Sequence, residues 1–326
     1  MEFVEGKVKE EKWFGEIVFP RTLLPSHGFE DGLSTPSHEG GETRLAEAVR
    51  ANRGWLDEQL SRHGAILFRG FDVHRAEDFG SVVEAFGWEE MVYEAGGAVR
   101  SKVADRVYTA NESPPEKLID FHHEMSYSKK FPSKIFFFCM EAPPEGGETS
   151  ILLSHIVVEK MEEALPEFVN KLGNVGAIIR VWTPKIASKK QFRRTWQQVL
   201  QTDDKNEAGK QALLKLACNS VEFLEDGGAE LVFGPLNPIR TFQGGLRAWF
   251  FTIVGYTGKL DDMSVCFGDG TPFPDEAFNT YKKIRDEINV NIRWQKGDIL
   301  LLDNLAVQHA RRPGKPPRVI LASLCK

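Results

Sequence analysis

Phe121-His122-His123-Glu124-Met125 places a histidine and a carboxylate two residues apart. In an extended strand alternate side chains point to the same side, so His122 and Glu124 share a face that His123 does not. With 8 histidines and 47 acidic residues in 326 positions, about one such pair is expected by chance. Taken alone, the segment is more typical of an ordinary surface or core pair than of a metal site.

A second segment, Asp303-Asn304-Leu305-Ala306-Val307-Gln308-His309, follows the apolar run 299–302. The run predicts a buried strand, which ends in the polar residues Asp303 and Asn304. If His309 folds beside the first segment, two histidines and one carboxylate occupy one side of a metal, as in non-haem Fe(II) oxygenases. An ordinary loop histidine is the alternative. Asp303 and Asn304 are expected either to orient His309 or to cap the strand end.

Composition describes an ordinary globular protein, with 41% hydrophobic and 27% charged residues. The net charge of -6 is spread along the chain without a basic run, so neither nucleic acid nor an anionic membrane is an expected partner. The four cysteines form no CxxC pair, which disfavours a zinc or redox site. There is no targeting pattern and no apolar run of the roughly 20 residues that a membrane span needs, so we expect a cytoplasmic protein.

The apolar patterns predict both helices and short strands along the chain. Helical spacing occurs at 43–61, 79–86, 154–172 with a break at Pro166, 192–216 and 275–288. Strand-like runs occur at 65–68, 135–139, 231–233, 249–254, 299–302 and 319–324. Scattered strands without regular βαβ alternation favour an antiparallel double-sheet barrel. We therefore predict one domain over residues 1–326, mainly β, with helical insertions at about 154–217 and 275–288.

Three motifs, in this order, resemble those of the taurine dioxygenase and clavaminate synthase-like family of Fe(II)/2-oxoglutarate-dependent oxygenases. They are Phe121-His122-His123-Glu124-Met125, the Pro-Pro-Glu-Gly-Gly-Glu-Thr run ending at Thr149, and the series Asp303-Asn304, His309 and Arg318. The resemblance covers about 65–324. Glu124 in place of Asp, followed by Met125, is most similar to the clavaminate synthase-like branch. The fold implied is a double-stranded β-helix, or jelly roll, in agreement with the expected double-sheet barrel.

The resemblance also implies roles for individual residues. His122, Glu124 and His309 would be the iron ligands and the catalytic residues, while Thr149 and Arg318 would hold the distal carboxylate of 2-oxoglutarate. Arg318 stands at the start of a predicted strand, where a guanidinium can meet a carboxylate bidentately. The neighbouring arginines at 311 and 312 lie in a loop rich in Pro and Gly and are expected to face water.

The activity implied is that of a dioxygenase, an oxidoreductase that uses O2 and 2-oxoglutarate, oxidises a small molecule and releases succinate and CO2. Because halogenating relatives lack the carboxylate, Glu124 favours hydroxylation or a related oxidation. Ala322 stands where taurine-type members have a second arginine for the substrate anion, so a sulfonate is not expected. An amino acid or a derivative is the substrate class expected by analogy. Candidates for the lining of the substrate pocket are Tyr93, Arg100, Asn111 and Arg240.

Two other classes fit the sequence. In a cupin-like metal enzyme that needs no keto acid, Thr149 and Arg318 would have no role in binding 2-oxoglutarate. A test of whether O2 consumption requires 2-oxoglutarate distinguishes this class from the oxygenase. A catalytically silent jelly-roll binding protein would keep the fold without the iron, and an anaerobic Fe(II) titration separates that class.

Overall fold

The computed structural model describes residues 3–26, 43–91, 100–110, 113–186, 194–255 and 263–326. The described residues form eight α-helices: α1 (Arg44–Ala51), α2 (Arg53–His63), α3 (Ala76–Ala85), α4 (Ser154–Ala164), α5 (Pro166–Val175), α6 (Trp196–Leu200), α7 (Lys205–Lys215) and α8 (Asp275–Ile288). They also form twenty strands: β1 (Phe3–Gly6), β2 (Lys12–Phe14), β3 (Ile17–Phe19), β4 (Arg21–Pro25), β5 (Ala65–Phe68), β6 (Lys102–Ala104), β7 (Val107–Thr109), β8 (Ile119–His122), β9 (Lys134–Glu141), β10 (Thr149–Leu153), β11 (Ala177–Thr183), β12 (Ser220–Phe223), β13 (Ala229–Leu236), β14 (Ile239–Thr241), β15 (Arg247–Trp249), β16 (Met263–Phe267), β17 (Val290–Ile292), β18 (Ile299–Asp303), β19 (Val307–Arg311) and β20 (Val319–Cys325).

Two sheets face each other across the centre of the molecule. The larger has the strand order β1-β4-β5-β18-β9-β20-β7-β6, and the smaller has the order β17-β10-β19-β8. Adjacent strands are antiparallel except β4 and β5, which are parallel. Leu67, Phe137 and Leu300 of the larger sheet share one core with Ile151 and Val307 of the smaller. The predicted double-sheet barrel, a jelly roll, is thus confirmed.

Helices and a further sheet cover the outer faces of this barrel. Side chains of α1 to α3 pack with Phe68 and Phe138 on the outer face of the larger sheet. Leu152 and Phe121 of the smaller sheet pack with α4, α5, α8 and a third sheet of order β12-β13-β11-β16. The central strands are buried on both faces, which explains their continuous apolar runs. None of the helices in these described ranges is long and apolar enough to cross a membrane.

Several predicted elements have the observed bounds, and others do not. The strand at 65–68 and the helix at 275–288 coincide with β5 and α8. Pro166 is the first residue of α5 and divides the predicted helix because its ring cannot continue α4. The predicted helical insertion at 154–217 also contains β11, which sequence reasoning missed. The strand predicted at 249–254 is wrong beyond Trp249, where β15 ends.

Candidate metal centre

Pairing of β8 with β19 places His122 directly opposite His309. Their ring centroids lie 4.4 Å apart. The Oε2 atom of Glu124 lies 3.7 Å from Nε2 of His309. One ligand atom from each of these residues lies within 4.8 Å of the others, so the three could hold a single ion. The structure therefore brings together the three side chains that the sequence singled out.

His309 lies inside the strand β19 rather than in a loop after a strand. On one side β19 pairs with β10, where Ile151 is opposite His309, and on the other side it pairs with β8. The Phe137 ring of the facing sheet lies 5.2 Å from the His309 ring. His309 is thus held by a central strand, in the space between the two sheets.

His122 has the protonation state that a metal ligand requires. Its Nδ1–H donates to the backbone carbonyl of Asp120 at 2.8 Å, which leaves the Nε2 lone pair for a metal. Burial, together with the nearby charge of His309, lowers the pKa of His122 to about 4. The imidazole is therefore neutral near pH 7.

Asn304 holds the backbone of Glu124. Its Oδ1 accepts from the Glu124 amide at 2.8 Å, and its Nδ2 donates to the Glu124 carbonyl at 3.1 Å. The next residue, Met125, has φ of +57°, a left-handed conformation that non-glycine residues rarely adopt. The chain therefore turns directly after the carboxylate. Asn304 orients Glu124, and the expectation that it orients His309 is wrong.

Arg100 makes a buried ion pair with Glu124. Its Nη2 lies 2.9 Å from Oε2 of Glu124, and the two side chains are only 4% and 7% exposed. Burial by itself raises the pKa of Glu124, but the Arg100 charge and the hydrogen bond from His309 outweigh it and hold the pKa well below its usual range. The carboxylate is therefore ionised. Arg100 was a candidate for the substrate pocket, and the structure instead shows it against a candidate metal ligand.

His123 points away from His122, as strand alternation predicts. Its Nδ1–H donates to the Asn304 carbonyl at 2.6 Å, and its Nε2 lies 3.0 Å from the Ser154 hydroxyl oxygen. The Phe250 ring packs 4.8 Å from the His123 ring. Burial lowers the pKa of His123 to about 3. His123 is thus a neutral residue of the packed interior.

Thr149 and Arg318 lie side by side near this centre. Arg318 donates from Nη2 to the Thr149 hydroxyl at 3.4 Å and from Nε to the Gly147 carbonyl at 2.8 Å. Trp294 donates to the same hydroxyl at 3.1 Å. Burial and the charge of Arg311 lower the pKa of Arg318 to about 10, so its guanidinium stays protonated at neutral pH. No carboxylate of the described residues pairs with Arg318, and the arrangement fits a bound anion.

Two glycines allow this contact. Gly146 and Gly147 have φ of +67° and +68°, values that favour glycine. A Cβ on Gly146 would lie 2.4 Å from the Pro313 carbonyl oxygen, and one on Gly147 would lie 3.1 Å from Cδ of Arg318. The Gly-Gly turn therefore packs directly against the 313–318 segment and brings Thr149 to Arg318.

Arg311 does not face water, contrary to the sequence-based expectation. It belongs to β19, lies opposite Thr149 in the register and is buried. Its guanidinium donates to three backbone carbonyls, those of Ser113, Pro114 and Lys117. Arg312 is on the other side of the strand and donates to the Ser150 hydroxyl at 2.7 Å. The expectation was wrong because the segment is a paired strand rather than a loop.

The other predicted pocket residues are in two groups. Tyr93 and Asn111 lie outside the described residues. Arg240 is in β14, and its guanidinium carbon lies over three aromatic rings, at 5.1 Å from Phe131, 5.2 Å from Phe242 and 5.1 Å from Phe250.

Comparison with known proteins places the chain in a class of enzymes. Residues 34–324 match the family model described as "Taurine catabolism dioxygenase TauD, TfdA family", and the chain belongs to this family. A clavaminate synthase-like protein of Arabidopsis thaliana is 41% identical over 99% of this chain and 98% of its own length. The dapdiamide synthesis protein DdaC of Enterobacter agglomerans is 28% identical over 82% of this chain and 84% of its own.

Solved structures support the same fold. PvcB of Pseudomonas aeruginosa has a TM-score of 0.52 at 14% identity and covers 93% of this chain and 84% of its own. AAD-2 in complex with Mn(II) and N-oxalylglycine has a TM-score of 0.53 at 10% identity over 100% of this chain and 97% of its own. As a member of its family, the protein is an Fe(II)- and 2-oxoglutarate-dependent dioxygenase. Family membership favours this class over the keto-acid-independent enzyme and the silent binding protein.

Proposed function

We propose that the protein hydroxylates a small organic molecule, with O2 and 2-oxoglutarate consumed and succinate and CO2 released. The observation that carries the proposal is the meeting of His122, Glu124 and His309 within 4.8 Å, together with the contact between Thr149 and the cationic Arg318. The catalytic unit is a single domain over residues 1–326, with insertions at about 154–217, which contains β11 as well as helices, and at 275–288.

His122, Glu124 and His309 would hold Fe(II), which such a set of two histidines and one carboxylate suits. With 2-oxoglutarate and O2, the iron would supply the oxidising power for attack on a C–H bond. The chain keeps its ligands ready for metal. The Asp120 carbonyl fixes the tautomer of His122, and the ion pair with Arg100 keeps Glu124 ionised.

Arg318 and Thr149 bind the distal carboxylate of 2-oxoglutarate. The guanidinium supplies charge-assisted N–H donors. The Thr149 hydroxyl already accepts from Trp294 and Arg318, so its own proton is available for an anion. Burial and, to a lesser extent, the positive charge of Arg311 lower the pKa of Arg318, and a carboxylate bound to Arg318 would favour its charged form.

The substrate proposed is an amino acid or a derivative, by analogy with the clavaminate synthase-like branch. The Arabidopsis thaliana relative with this description is 41% identical. Ala322 is fully buried in β20, and its methyl side chain has no group with which to bind a sulfonate.

A coupled-turnover screen tests the proposal. Amino acids and small metabolites are added to protein supplied with Fe(II) and 2-oxoglutarate, and succinate is measured against the background without substrate. At least one amino-acid-derived compound is expected to raise succinate release together with O2 uptake, and Glu124→Ala is expected to abolish both. O2 uptake that does not require 2-oxoglutarate would contradict the proposal.

A further inference from the structure

A β-bulge interrupts the strand that carries His122. Two pairs of opposite residues bound this bulge, His122 with His309 and Ile119 with Arg311. Between these pairs β8 has two residues, 120–121, whereas β19 has one. An extra residue of this kind bends its strand and redirects the neighbouring side chains. β8 is also an edge strand of the smaller sheet, so no further strand of the described residues holds the bulge from its other side.

Asp120, the first residue of the bulge, makes two contacts. Its backbone carbonyl accepts from Nδ1–H of His122 at 2.8 Å. Its carboxylate oxygen Oδ2 accepts from Nη2 of Arg285 on α8 at 2.9 Å, and these two side chains are only 9% and 3% exposed. The residue that orients the His122 ring is thus itself held by a buried arginine of the helical insertion.

Arg285 also contacts the second residue of the bulge. Its guanidinium carbon lies 5.5 Å from the ring centroid of Phe121 and 4.3 Å from that of Tyr281, which is one turn earlier on α8. An arginine that packs on aromatic faces has few alternative positions. Within the described residues, Nε and Nη1 of Arg285 have no hydrogen-bond partner, so Asp120 is the acceptor of this guanidinium in that part of the chain.

Net stability does not account for such a pair. Removal of both charges from water offsets most of their attraction, and buried N–H groups without partners add to the cost. The pair does fix position, because a buried carboxylate that loses its cation meets a large penalty. Arg285 and Asp120 therefore hold the bulge in the arrangement in which His122 faces His309.

We propose that Arg285 is a positioning residue for the metal centre. Through Asp120 and Phe121 it holds the bulge in the shape that directs the Nε2 lone pair of His122 at the ion. The inference rests on the proposed role of His122 as an iron ligand. It also gives the inserted helix α8 a function in the site, although none of the three candidate ligands belongs to that helix.

Anaerobic titration of the metal-free protein with Co(II) tests the inference, because the visible bands of Co(II) depend on the arrangement of its ligands. Arg285→Met is expected to weaken Co(II) binding by about tenfold or more and to change the bands. Arg285→Lys keeps a cation for Asp120 and is expected to recover part of both. Asp120→Asn combined with Arg285→Met should lose little more affinity than either alone, since both substitutions break one pair. Wild-type affinity and bands in Arg285→Met would overturn the inference.

Arg69→Met is the matched control. Arg69 makes another pair of arginine and carboxylate, with Asp298 at 2.7 Å, where β5 ends and β18 begins in the larger sheet. Its variant is expected to lose stability but to bind Co(II) with the wild-type affinity and bands, because that sheet carries none of the three candidate ligands. Thermal unfolding verifies that each variant folds. Equal changes in the bands of Arg69→Met and Arg285→Met would indicate a general loss of stability and overturn the inference.

A readout without metal separates this inference from the proposed function. Nitrogen NMR of isotope-labelled histidine reports the ring tautomer, and the signals of His122 are identified by their loss in His122→Ala. The wild-type ring is expected to carry its proton on Nδ1, whereas Arg285→Met is expected to show both tautomers. An unchanged tautomer in Arg285→Met would overturn the inference. Failure of the wild-type protein to bind Co(II) would count against the proposed function alone.

Discussion

His122 and His123 are neighbours in sequence but lie in different environments. The ring of His122 faces His309 in the space between the sheets. His123 points to the opposite side and bonds to Asn304 and Ser154 in the interior. This separation follows from strand alternation, which is why it could be predicted from residue spacing alone.

The first prediction compares these neighbours. His122→Ala, Glu124→Ala and His309→Ala are each expected to weaken Fe(II) binding by about 100-fold or more, since loss of even an outer contact to a ligand costs about 10–100-fold. His123→Gln is expected to keep iron but to lose about 1–3 kcal/mol of stability, because buried polar groups lose partners. Anaerobic Fe(II) titration and denaturant unfolding provide the two readouts. If His123→Gln lost Fe(II) and His122→Ala kept it, His123 rather than His122 would be the iron ligand.

Arg100 provides a second prediction at the same scale. In metal-free protein, Arg100→Met leaves the buried carboxylate of Glu124 without this positive partner, and removal of one member of a buried pair typically costs about 3–5 kcal/mol. A divalent metal supplies the missing charge, so Mn(II) is expected to stabilise this variant more than the wild type. Thermal unfolding with and without Mn(II) measures both effects. An equal loss of stability in the two conditions would show that Arg100 acts independently of the carboxylate.

Among the elements, those with uniform apolar patterns were predictable. β5 and α8 have the expected bounds because each pattern is set by local spacing and burial. β19 was missed because Gln308, His309 and Arg311 interrupt the apolar character that marks the other central strands. These polar residues are buried, and their side-chain partners are on segments far away in sequence. The pattern of a functional strand therefore reflects its site as well as its secondary structure.

Glycines in the elements give a third prediction. Gly173 lies inside α5, which continues to Val175, and Gly176 forms the C-cap. No atom lies within 4 Å of a Cβ built on Gly173, so Gly173→Ala is expected to stabilise the protein by about 0.5–1 kcal/mol. Gly147→Ala is expected to destabilise it by about 1 kcal/mol or more and to weaken 2-oxoglutarate binding, since its Cβ would meet Arg318. Denaturant unfolding measures the stability of both variants. Similar changes in stability from the two substitutions would contradict the contrast between the open position of Gly173 and the crowded position of Gly147.

For the whole molecule, the sequence indicated the fold and the three candidate metal ligands. It did not indicate which side chains balance the charge of Glu124 or hold its backbone. Glu124 is balanced by Arg100 and held by Asn304, and neither contact has a sequence spacing that marks it. Such partners are set by the packing of distant segments between the sheets. Contacts of this kind require the three-dimensional structure, because no local pattern records them.

Stability against pH is the fourth prediction. Burial lowers the pKa of His122 to about 4 and that of His123 to about 3, below the ordinary value of about 6.5. Between pH 6.5 and pH 5 the unfolded chain therefore binds more protons than the folded chain, and acid favours unfolding. Each of these histidines is expected to cost metal-free protein about 2 kcal/mol over that interval. Denaturant unfolding at several pH values measures the slope, which should be shallower in His123→Gln. If His123→Gln had the same slope of unfolding free energy against pH as the wild type, the lowered pKa of His123 would be contradicted.

The most direct test of the site is a titration of 2-oxoglutarate into the anaerobic Fe(II) protein, followed by the visible absorption of the complex. Loss of a buried charged partner costs about 2–5 kcal/mol, so Arg318→Ala is expected to weaken 2-oxoglutarate binding by about 30-fold or more, and Thr149→Val by less. Fe(II) affinity without the keto acid should hardly change. Arg312→Ala is the control, because Arg312 bonds to Ser150 on the other side of the strand. An unchanged midpoint for Arg318→Ala would contradict the proposed site and make the buried Arg311 the next residue to test.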